Sequence, residues 1–165
     1  MEELLPRVEK ELRAHELWHA DYEGPRRDWL RRTVELLQPR MRTLEDVSGI
    51  SRAYFSDEVD YDPAAEKKFW KDATLAVLLP ELAGELAGEL EKGSSLDAAA
   101  AEQGLRSFAE RKQVKAGLLI NASRLALTGQ AVAPSLFDVM EVMGRERVVA
   151  RLKRAGEYLA ARTVP

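Results

Sequence analysis

The apolar residues of this chain recur every three or four positions, and this spacing constrains the fold more than any other feature. Leu4, Leu5, Val8 and Leu12 follow it near the N-terminus, and a second apolar series follows it through residues 29–41. Such spacing places apolar side chains on one face of an α-helix. No segment shows a convincing strand-like alternation of apolar and polar residues. The sequence therefore predicts an all-α fold.

A polar segment rich in turn formers, SDEVDYDP at 56–63, separates two helical regions. We predict two helical subdomains, one over 1–58 and one over 59–165. The 165 residues are enough for two small helical subdomains with a real core. Phe69 and Trp70 are among the residues expected in the core of the second subdomain.

Helix ends in the first region are predicted from proline, glycine and capping residues. Pro25 stands where the first turn of a helix tolerates proline. Thr43 and Asp46 have the spacing of a capping box, which would open a short helix. Gly49 is expected to close that helix.

The same signals divide the second region. A helical pattern covers 63–92 and begins at a proline, and Pro80 predicts a kink or break within it. Ser95 is expected to cap the next helix, and Gly104 to separate that helix from its successor. Gly129 is expected to end a later helix.

Charge is distributed unevenly along the chain. Residues 1–105 carry 14 Lys/Arg and 23 Asp/Glu, whereas residues 106–165 carry 11 Lys/Arg and five Asp/Glu. The formal net charge of −3 therefore conceals a basic segment that follows an acidic body. This segment indicates either an anionic partner or a basic face that simply stays solvated.

Several classes of site and location lack support in the sequence. The chain has no cysteine, which excludes disulfides, thiolate metal sites and a cysteine nucleophile. It also has no Gly-rich phosphate loop, no Gly-x-Ser-x-Gly elbow and no apolar run near the roughly 20 residues that cross a bilayer. We therefore expect a soluble, cytoplasmic chain that has no membrane contact, no catalytic residue, no bound metal and no cofactor of its own.

One enzymatic motif, His-Glu-Leu-Trp-His, is present near the N-terminus. On a helix, His15 and His19 would share a face and could bind zinc while Glu16 acted as a base. Because the chain has no other histidine, a third ligand would have to be a carboxylate such as Glu23 or Glu35. We interpret the motif as an incidental surface match, and a zinc hydrolase is the least favoured alternative.

The most specific pattern lies in residues 114–154. It resembles the last helices of bacterial glutamyl-tRNA synthetases, which carry Lys-x-Gly, then Arg-x-Ala-Leu-Thr-Gly, then Pro-x-Leu-Phe, then Gly-[Lys/Arg]-Glu-Arg. The matching residues are Lys115, Gly117, Arg124, Ala126, Leu127, Thr128, Gly129, Pro134, Leu136, Phe137, Gly144, Arg145, Glu146 and Arg147. Segments 29–44 and 54–69 agree in order and spacing, so the resemblance covers nearly the whole chain.

The resemblance implies the helical-bundle, anticodon-binding region of a class I synthetase. The implied partners are tRNA-Glu, with no DNA, and a catalytic domain in cis. The family's His-x-Gly-His and Lys-x-Ser-Lys-type motifs are absent, so this chain alone is not expected to be an enzyme. The parent would be an ATP-dependent glutamate–tRNA ligase that uses ATP and Mg²⁺ outside this chain. The main alternative is a free-standing paralogue that serves as a helical protein-interaction domain.

The resemblance also implies which residues contact the anticodon. Arg40 matches the arginine that reads the last anticodon base, a cytosine, whose acceptor edge suits the planar donors of a guanidinium. Arg124 matches an arginine that faces the anticodon from the second subdomain. The outer two bases would be enclosed by Ala133, Pro134, Ser135, Leu136 and Phe137, although Phe137 is expected chiefly in the core.

Further expectations concern stacking and phosphate contacts. Leu136 is expected to offer an apolar stacking surface, and the exposed N–H groups at that helix start favour polar or anionic contacts. Arg151 and Lys153 are expected to contact the phosphate backbone, provided that their face touches the RNA. The alternative for Arg40 and Arg124 is ordinary ion pairing or helix bracing.

Two positions depart from the family pattern. Ala122 and Ser123 stand where Pro-Leu is common, so the backbone before Arg124 can differ. Ala133 stands where a polar residue is common, which could remove one base contact worth about 1 kcal/mol.

Overall fold

The computed structural model describes residues 1–88 and 95–163. Within these ranges the chain forms nine α-helices and no β-strand, which confirms the all-α prediction. The helices are α1 (Leu4–Ala14), α2 (Arg27–Leu37), α3 (Glu45–Ser48), α4 (Pro63–Phe69), α5 (Leu75–Ala87), α6 (Ala98–Arg111), α7 (Ala116–Thr128), α8 (Leu136–Met143) and α9 (Arg145–Thr163). In the described part of the chain, no helix is both long and apolar enough to cross a bilayer.

The chain divides into two compact units. Unit 1 comprises Met1–Asp60 and unit 2 comprises Tyr61–Pro165. The polar linker at 56–63 spans this division. Each unit buries its own set of apolar residues, so each has its own core.

Unit 1 is built from short helices. Val8 and Leu12 of α1 are fully buried, as expected from the apolar spacing. A hydrogen bond from the Ser48 hydroxyl to the Glu11 carboxylate ties α3 to α1. Gly49 follows the last residue of α3, which confirms the expected end of that helix.

Unit 2 is organised around the packing of α5 against α9. At Gly156 of α9, a Cβ atom would lie 2.2 Å from Pro80 Cγ and 3.1 Å from the Ala76 carbonyl oxygen. Pro80 has no N–H to donate to that carbonyl, so α5 lacks one helical hydrogen bond there. Of the kink or break expected at Pro80, the break does not occur, because α5 continues through the proline with α9 packed directly against it.

The break in the predicted 63–92 helix lies between α4 and α5 instead. Asp72 stabilises the intervening turn, because its Oδ1 accepts hydrogen bonds from the Thr74 backbone N–H at 2.9 Å and from the Thr74 hydroxyl at 2.6 Å. The proline that opens this region does begin α4, as predicted. Residues 89–92 of the predicted helix lie outside the described residues.

Two predicted helix boundaries near α6 are also wrong. Asp97, not Ser95, caps α6, because the Asp97 carboxylate accepts the Ala100 N–H at 2.7 Å. Gly104 lies inside α6, where a Cβ atom would stand 3.2 Å from Leu86 Cδ2. This glycine therefore permits close packing between α6 and α5 and does not end a helix.

Candidate nucleic-acid interface

Arg40 ends a 3₁₀ turn, Gln38–Arg40, that directly follows α2. The turn is closed by a hydrogen bond from the Met41 N–H to the Gln38 carbonyl at 3.2 Å. Arg40 is exposed, and its guanidinium makes no ion pair with any residue that the structure describes. Arg31 on α2, by contrast, pairs with Glu35 at 3.1 Å. The N–H donors of Arg40 are thus available to a ligand.

The backbone that follows Arg40 is held by Asp46. The Asp46 carboxylate accepts the N–H of Arg42 at 2.7 Å and the N–H of Thr43 at 3.0 Å. These hydrogen bonds, first that of Thr43 and then that of Arg42, lower the pKa of Asp46 below its ordinary value. Only one half of the predicted capping box forms, because the Asp46 N–H donates to the Thr43 carbonyl at 3.3 Å and not to the Thr43 hydroxyl.

Arg124 lies on α7 in unit 2 and is half-buried. Its Nη1 donates to Asn121 Oδ1 at 2.7 Å, three residues earlier on the same helix. This bond orients the guanidinium and occupies only one of its nitrogens. Sequence reasoning did not identify Asn121 as a positioning residue, although the i, i+3 spacing of two polar residues on a helix is a usable signal.

The loop between α7 and α8 starts from a fixed backbone. Gly129 has a φ of 74°, which ends α7 as predicted, and its carbonyl accepts the Asp62 N–H at 2.9 Å. The Thr128 hydroxyl donates to the Arg124 carbonyl at 2.7 Å and accepts the Gln130 N–H at 3.2 Å. These bonds anchor the residues that lead into the loop.

The loop residues predicted to enclose bases differ in exposure. Val132, which precedes these residues and was not predicted to enclose a base, is 81% exposed. Ala133 is half-buried, Pro134 is buried and Ser135 is exposed. Ser135 precedes α8 but makes no side-chain cap, so the first-turn N–H groups of α8 have no side-chain acceptor from it. Backbone groups and Ser135 therefore offer polar contacts here, whereas Pro134 supports the loop from inside.

The predicted roles of Leu136 and Phe137 are reversed in the structure. Leu136 is only 2% exposed and lies on the inward face of α8, together with Val139 and Met140. Phe137 is half-buried and so retains accessible ring surface. Leu136 therefore cannot provide the expected stacking surface in this arrangement, whereas Phe137 and the exposed Val132 are apolar side chains that remain accessible at the loop.

The predicted phosphate contact of Arg151 is also corrected. Arg151 is 4% exposed, and its Nη1 donates to the Leu127 carbonyl near the end of α7 at 2.7 Å. The same nitrogen lies 3.5 Å from the Met143 sulfur. A buried guanidinium that satisfies a helix-end carbonyl supports the fold and does not reach an RNA phosphate. Lys153, two residues later, is exposed and remains a candidate.

Ion pairs within unit 2 neutralise part of the basic segment. Arg111 pairs with Glu85 at 2.6 Å and Lys112 with Glu81 at 2.7 Å. Further pairs join Arg106 to Glu102 at 3.0 Å and Arg162 to Glu66 at 2.7 Å. The charge surplus in the sequence thus overstates how much basic charge can contact an external anion.

The His-Glu-Leu-Trp-His motif does not form a helix. α1 ends before it, Glu16 has a φ of 58°, and His19 has an extended backbone with φ −116° and ψ 139°. The His19 Nδ1 accepts the Asp21 N–H at 3.2 Å. His15 and His19 therefore do not share a helix face, which is the geometry that the zinc-peptidase interpretation required.

This chain is similar to known proteins in both sequence and structure. Residues 2–156 match the family described as the anticodon binding domain. The chain is 47% identical to glutamate–tRNA ligase 2 of Koribacter versatilis, over 94% of this chain and 31% of the relative. It is 36% identical to the glutamate–tRNA ligase of Desulfotalea psychrophila, over 93% of this chain and 30% of the relative. A glutamate tRNA ligase from Elizabethkingia meningosepticum, solved in complex with its amino acid, matches with a TM-score of 0.76 and 25% identity, over 96% of this chain and 29% of that chain.

Proposed function

Because this chain belongs to the anticodon binding domain family and resembles glutamate–tRNA ligases along nearly its whole length, we propose that it binds tRNA-Glu through the anticodon loop. The family match over residues 2–156 carries the proposal. The chain spans about 31% of the first relative, so aminoacylation would belong to a catalytic domain in cis. ATP and Mg²⁺ would be bound by that domain, and the chain would act in the cytoplasm without contacting DNA.

Arg40 is the proposed reader of the last anticodon base. Its exposed guanidinium lies at the end of a closed 3₁₀ turn and has no competing carboxylate among the described residues. A planar guanidinium can donate two parallel hydrogen bonds to the two acceptor atoms on the edge of a cytosine. Asp46 fixes the following backbone, which limits the conformational entropy lost when the base binds.

Unit 2 is proposed to hold the other two anticodon bases. Arg124 would donate from the guanidinium nitrogens that Asn121 leaves available. Ala133 and Ser135 would contact bases through backbone groups and the Ser135 hydroxyl, while buried Pro134 and Leu136 would maintain the loop. Unpaired bases splayed out of a loop are recognised through such edge contacts together with stacking.

The proposal is tested by titrating the chain with fluorescent anticodon stem-loops of tRNA-Glu and tRNA-Gln, and with an unrelated loop, at low and moderate salt. Tighter binding of the glutamate loop at both salt concentrations is the expected result. Salt-dependent binding without preference would reduce the role to general RNA contact. A correctly folded chain that binds none of the loops would reject the proposal and favour a helical protein-interaction domain.

A further inference from the structure

Unit 1 contains two surface cavities that differ in charge. The larger, of about 380 Å³, is lined by four carboxylates and only two guanidiniums. The smaller, of about 230 Å³, is lined by Arg7 and Arg42 and by no carboxylate. Because RNA is a polyanion, the smaller cavity suits it and the larger one does not.

The smaller cavity also has the surfaces that a nucleobase requires. Leu4, Met41 and Leu44 give it apolar walls, and all three side chains are half-buried. Gln38 and Thr43 add polar groups at its lining. Bases removed from a stack are held between apolar or aromatic side chains while polar groups contact their edges. The cavity is smaller than the roughly 300–1,000 Å³ typical of pockets for drug-sized ligands, so it suits a single ring system.

The position and rigidity of this cavity connect it to Arg40. Gln38 begins the 3₁₀ turn that Arg40 ends, and Met41 is the next residue along the chain. Asp46 holds the backbone of the adjoining loop through the two hydrogen bonds described above. The cavity wall is thus preorganised beside the proposed base reader.

We propose that this cavity receives one unpaired nucleotide of the anticodon loop, with its base against Leu4, Met41 and Leu44 and its phosphate between Arg7 and Arg42. The inference rests on the proposed function and adds a nucleotide-holding surface to the edge contact of Arg40. Neither Arg7 nor Arg42 makes a direct ion pair within residues 1–88 or 95–163, although the charge of Arg42 interacts with the nearby Asp46 carboxylate. Both guanidiniums therefore retain N–H donors for a phosphate.

An abasic scan of the glutamate stem-loop separates base from phosphate contacts, because each abasic substitution removes one base and leaves the backbone. For the wild-type chain, removal of the base at the one loop position that occupies this cavity should lower the affinity for the stem-loop about fivefold to a hundredfold. For Met41→Glu, which places a carboxylate in the cavity, the same abasic substitution should have no further effect. Met41→Ala, which only trims the wall, should give a smaller change in the same direction.

The phosphate contact is tested with a matched pair of arginine variants. Arg42→Ala should weaken binding of every loop and reduce its salt dependence, whether or not a base is present. Arg27→Ala is the control, because Arg27 is also an exposed arginine of unit 1 but lines the acidic cavity. Arg27→Ala should leave both affinity and salt dependence nearly unchanged.

The outcomes separate this inference from the proposed function. If Met41→Glu, folded by its thermal melting curve, keeps the full abasic sensitivity at every position, or if Arg42→Ala behaves like Arg27→Ala, the cavity does not hold a nucleotide. Those results would leave the proposed function intact whenever the wild-type chain still prefers the glutamate loop. Absence of that preference in the wild-type chain would overturn both proposals.

Discussion

The two units present their candidate RNA contacts differently. In unit 1, Arg40 is exposed at the end of a short turn and makes no ion pair in the described part of the chain. In unit 2, Arg151 and Leu136 are buried, and Arg124 is oriented by a hydrogen bond to Asn121. Burial therefore separates the predicted contact residues into those that a ligand can reach and those that support the fold.

The architecture of the units explains this difference. Unit 1 uses short helices and 3₁₀ turns, so more of its polar side chains stand at element ends, where they face solvent. In unit 2, α9 packs against α5, α7 and α8, so a buried polar group such as Arg151 requires an internal partner. Unit 2 should therefore respond to mutation mainly through stability, and unit 1 mainly through RNA affinity.

The largest effect is expected from Gly156→Ala. The new Cβ atom would lie 2.2 Å from Pro80 Cγ, so α9 would have to move away from α5. Overpacking of this kind should lower the free energy of unfolding by about 3 kcal/mol. Denaturant unfolding monitored by circular dichroism measures the change.

Gly84→Ala is the matched control for this substitution. Gly84 is exposed on α5, and a Cβ atom there meets nothing within 4 Å. Alanine should therefore stabilise the helix by about 0.5–1 kcal/mol. Equal effects of the two substitutions would contradict the close packing of α5 and α9.

Arg151→Ala should have the next largest effect, and the effect should be on stability. Removing the guanidinium leaves the Leu127 carbonyl without its donor and opens space in the core. Loss of a hydrogen bond to a charged group should cost about 2 kcal/mol. The salt dependence of RNA binding should be unchanged at temperatures where the variant is folded. If Arg151→Ala instead reduced the salt dependence of RNA binding without lowering the free energy of unfolding, the phosphate contact predicted from the sequence would be supported.

The sequence predicted the fold class and several helix limits because local signals determine them. Pro63 at the first position of α4, Gly49 after α3 and Gly129 after α7 act through their own backbone preferences. α5 continues through Pro80 without a break, and Gly104 lies inside α6, because tertiary packing overrides those local preferences. α9 covers the helix at Pro80, and Leu86 fills the space beside Gly104.

The candidate site was harder to predict for a related reason. The family pattern identifies Arg40, Arg124 and Leu136, and the basic segment suggests Arg151, but neither indicates which way each side chain faces. Leu136 and Phe137 are adjacent on α8 and therefore lie on different faces of the helix. Which of the two is buried depends on the residue at which α8 begins. Two of the ion pairs that neutralise part of the basic segment, Arg111–Glu85 and Lys112–Glu81, join different helices, so composition cannot reveal them.

Arg40→Ala tests the direct contact proposed for unit 1. Loss of paired hydrogen bonds to a base should weaken binding of the glutamate loop by about 2 kcal/mol and leave an unrelated loop nearly unaffected. The free energy of unfolding should not change, because Arg40 is exposed and has no ion-pair partner among the described residues. Arg124→Ala provides the comparison in unit 2, since it should weaken binding selectively and also release Asn121. If either variant lost affinity equally for all RNAs, that arginine would contact a phosphate and not a base.

Lys153→Ala should have a smaller effect than Arg40→Ala. Lys153 is exposed on α9, two residues after buried Arg151. If it contacts one phosphate, its removal should reduce the slope of log affinity against log salt by about 0.7, without changing stability or preference among loops. An unchanged slope would assign Lys153 to the solvated face of α9.

The smallest effect is expected from the pH dependence of two carboxylates, one in each unit. Backbone hydrogen bonds lower the pKa of Asp46 in unit 1, and hydrogen bonds from the Thr74 hydroxyl and then its backbone lower the pKa of Asp72 in unit 2. Because each folded-state pKa lies below the unfolded-state pKa, each carboxylate stabilises its unit fully above the unfolded-state pKa. That stabilisation is lost as the pH falls through the folded-state pKa.

Asp46→Asn and Asp72→Asn should therefore each lose a little stability near neutral pH, and each difference from the wild-type chain should shrink on acidification. Unfolding curves recorded from neutral to acidic pH measure these differences. The two variants should differ in RNA affinity at neutral pH, because Asp46 holds the loop after Arg40 whereas Asp72 holds the turn between α4 and α5. If both variants bound the glutamate loop as tightly as the wild-type chain, backbone preorganisation beside Arg40 would contribute nothing to recognition. The contact in unit 1 would then depend on the arginine side chain alone.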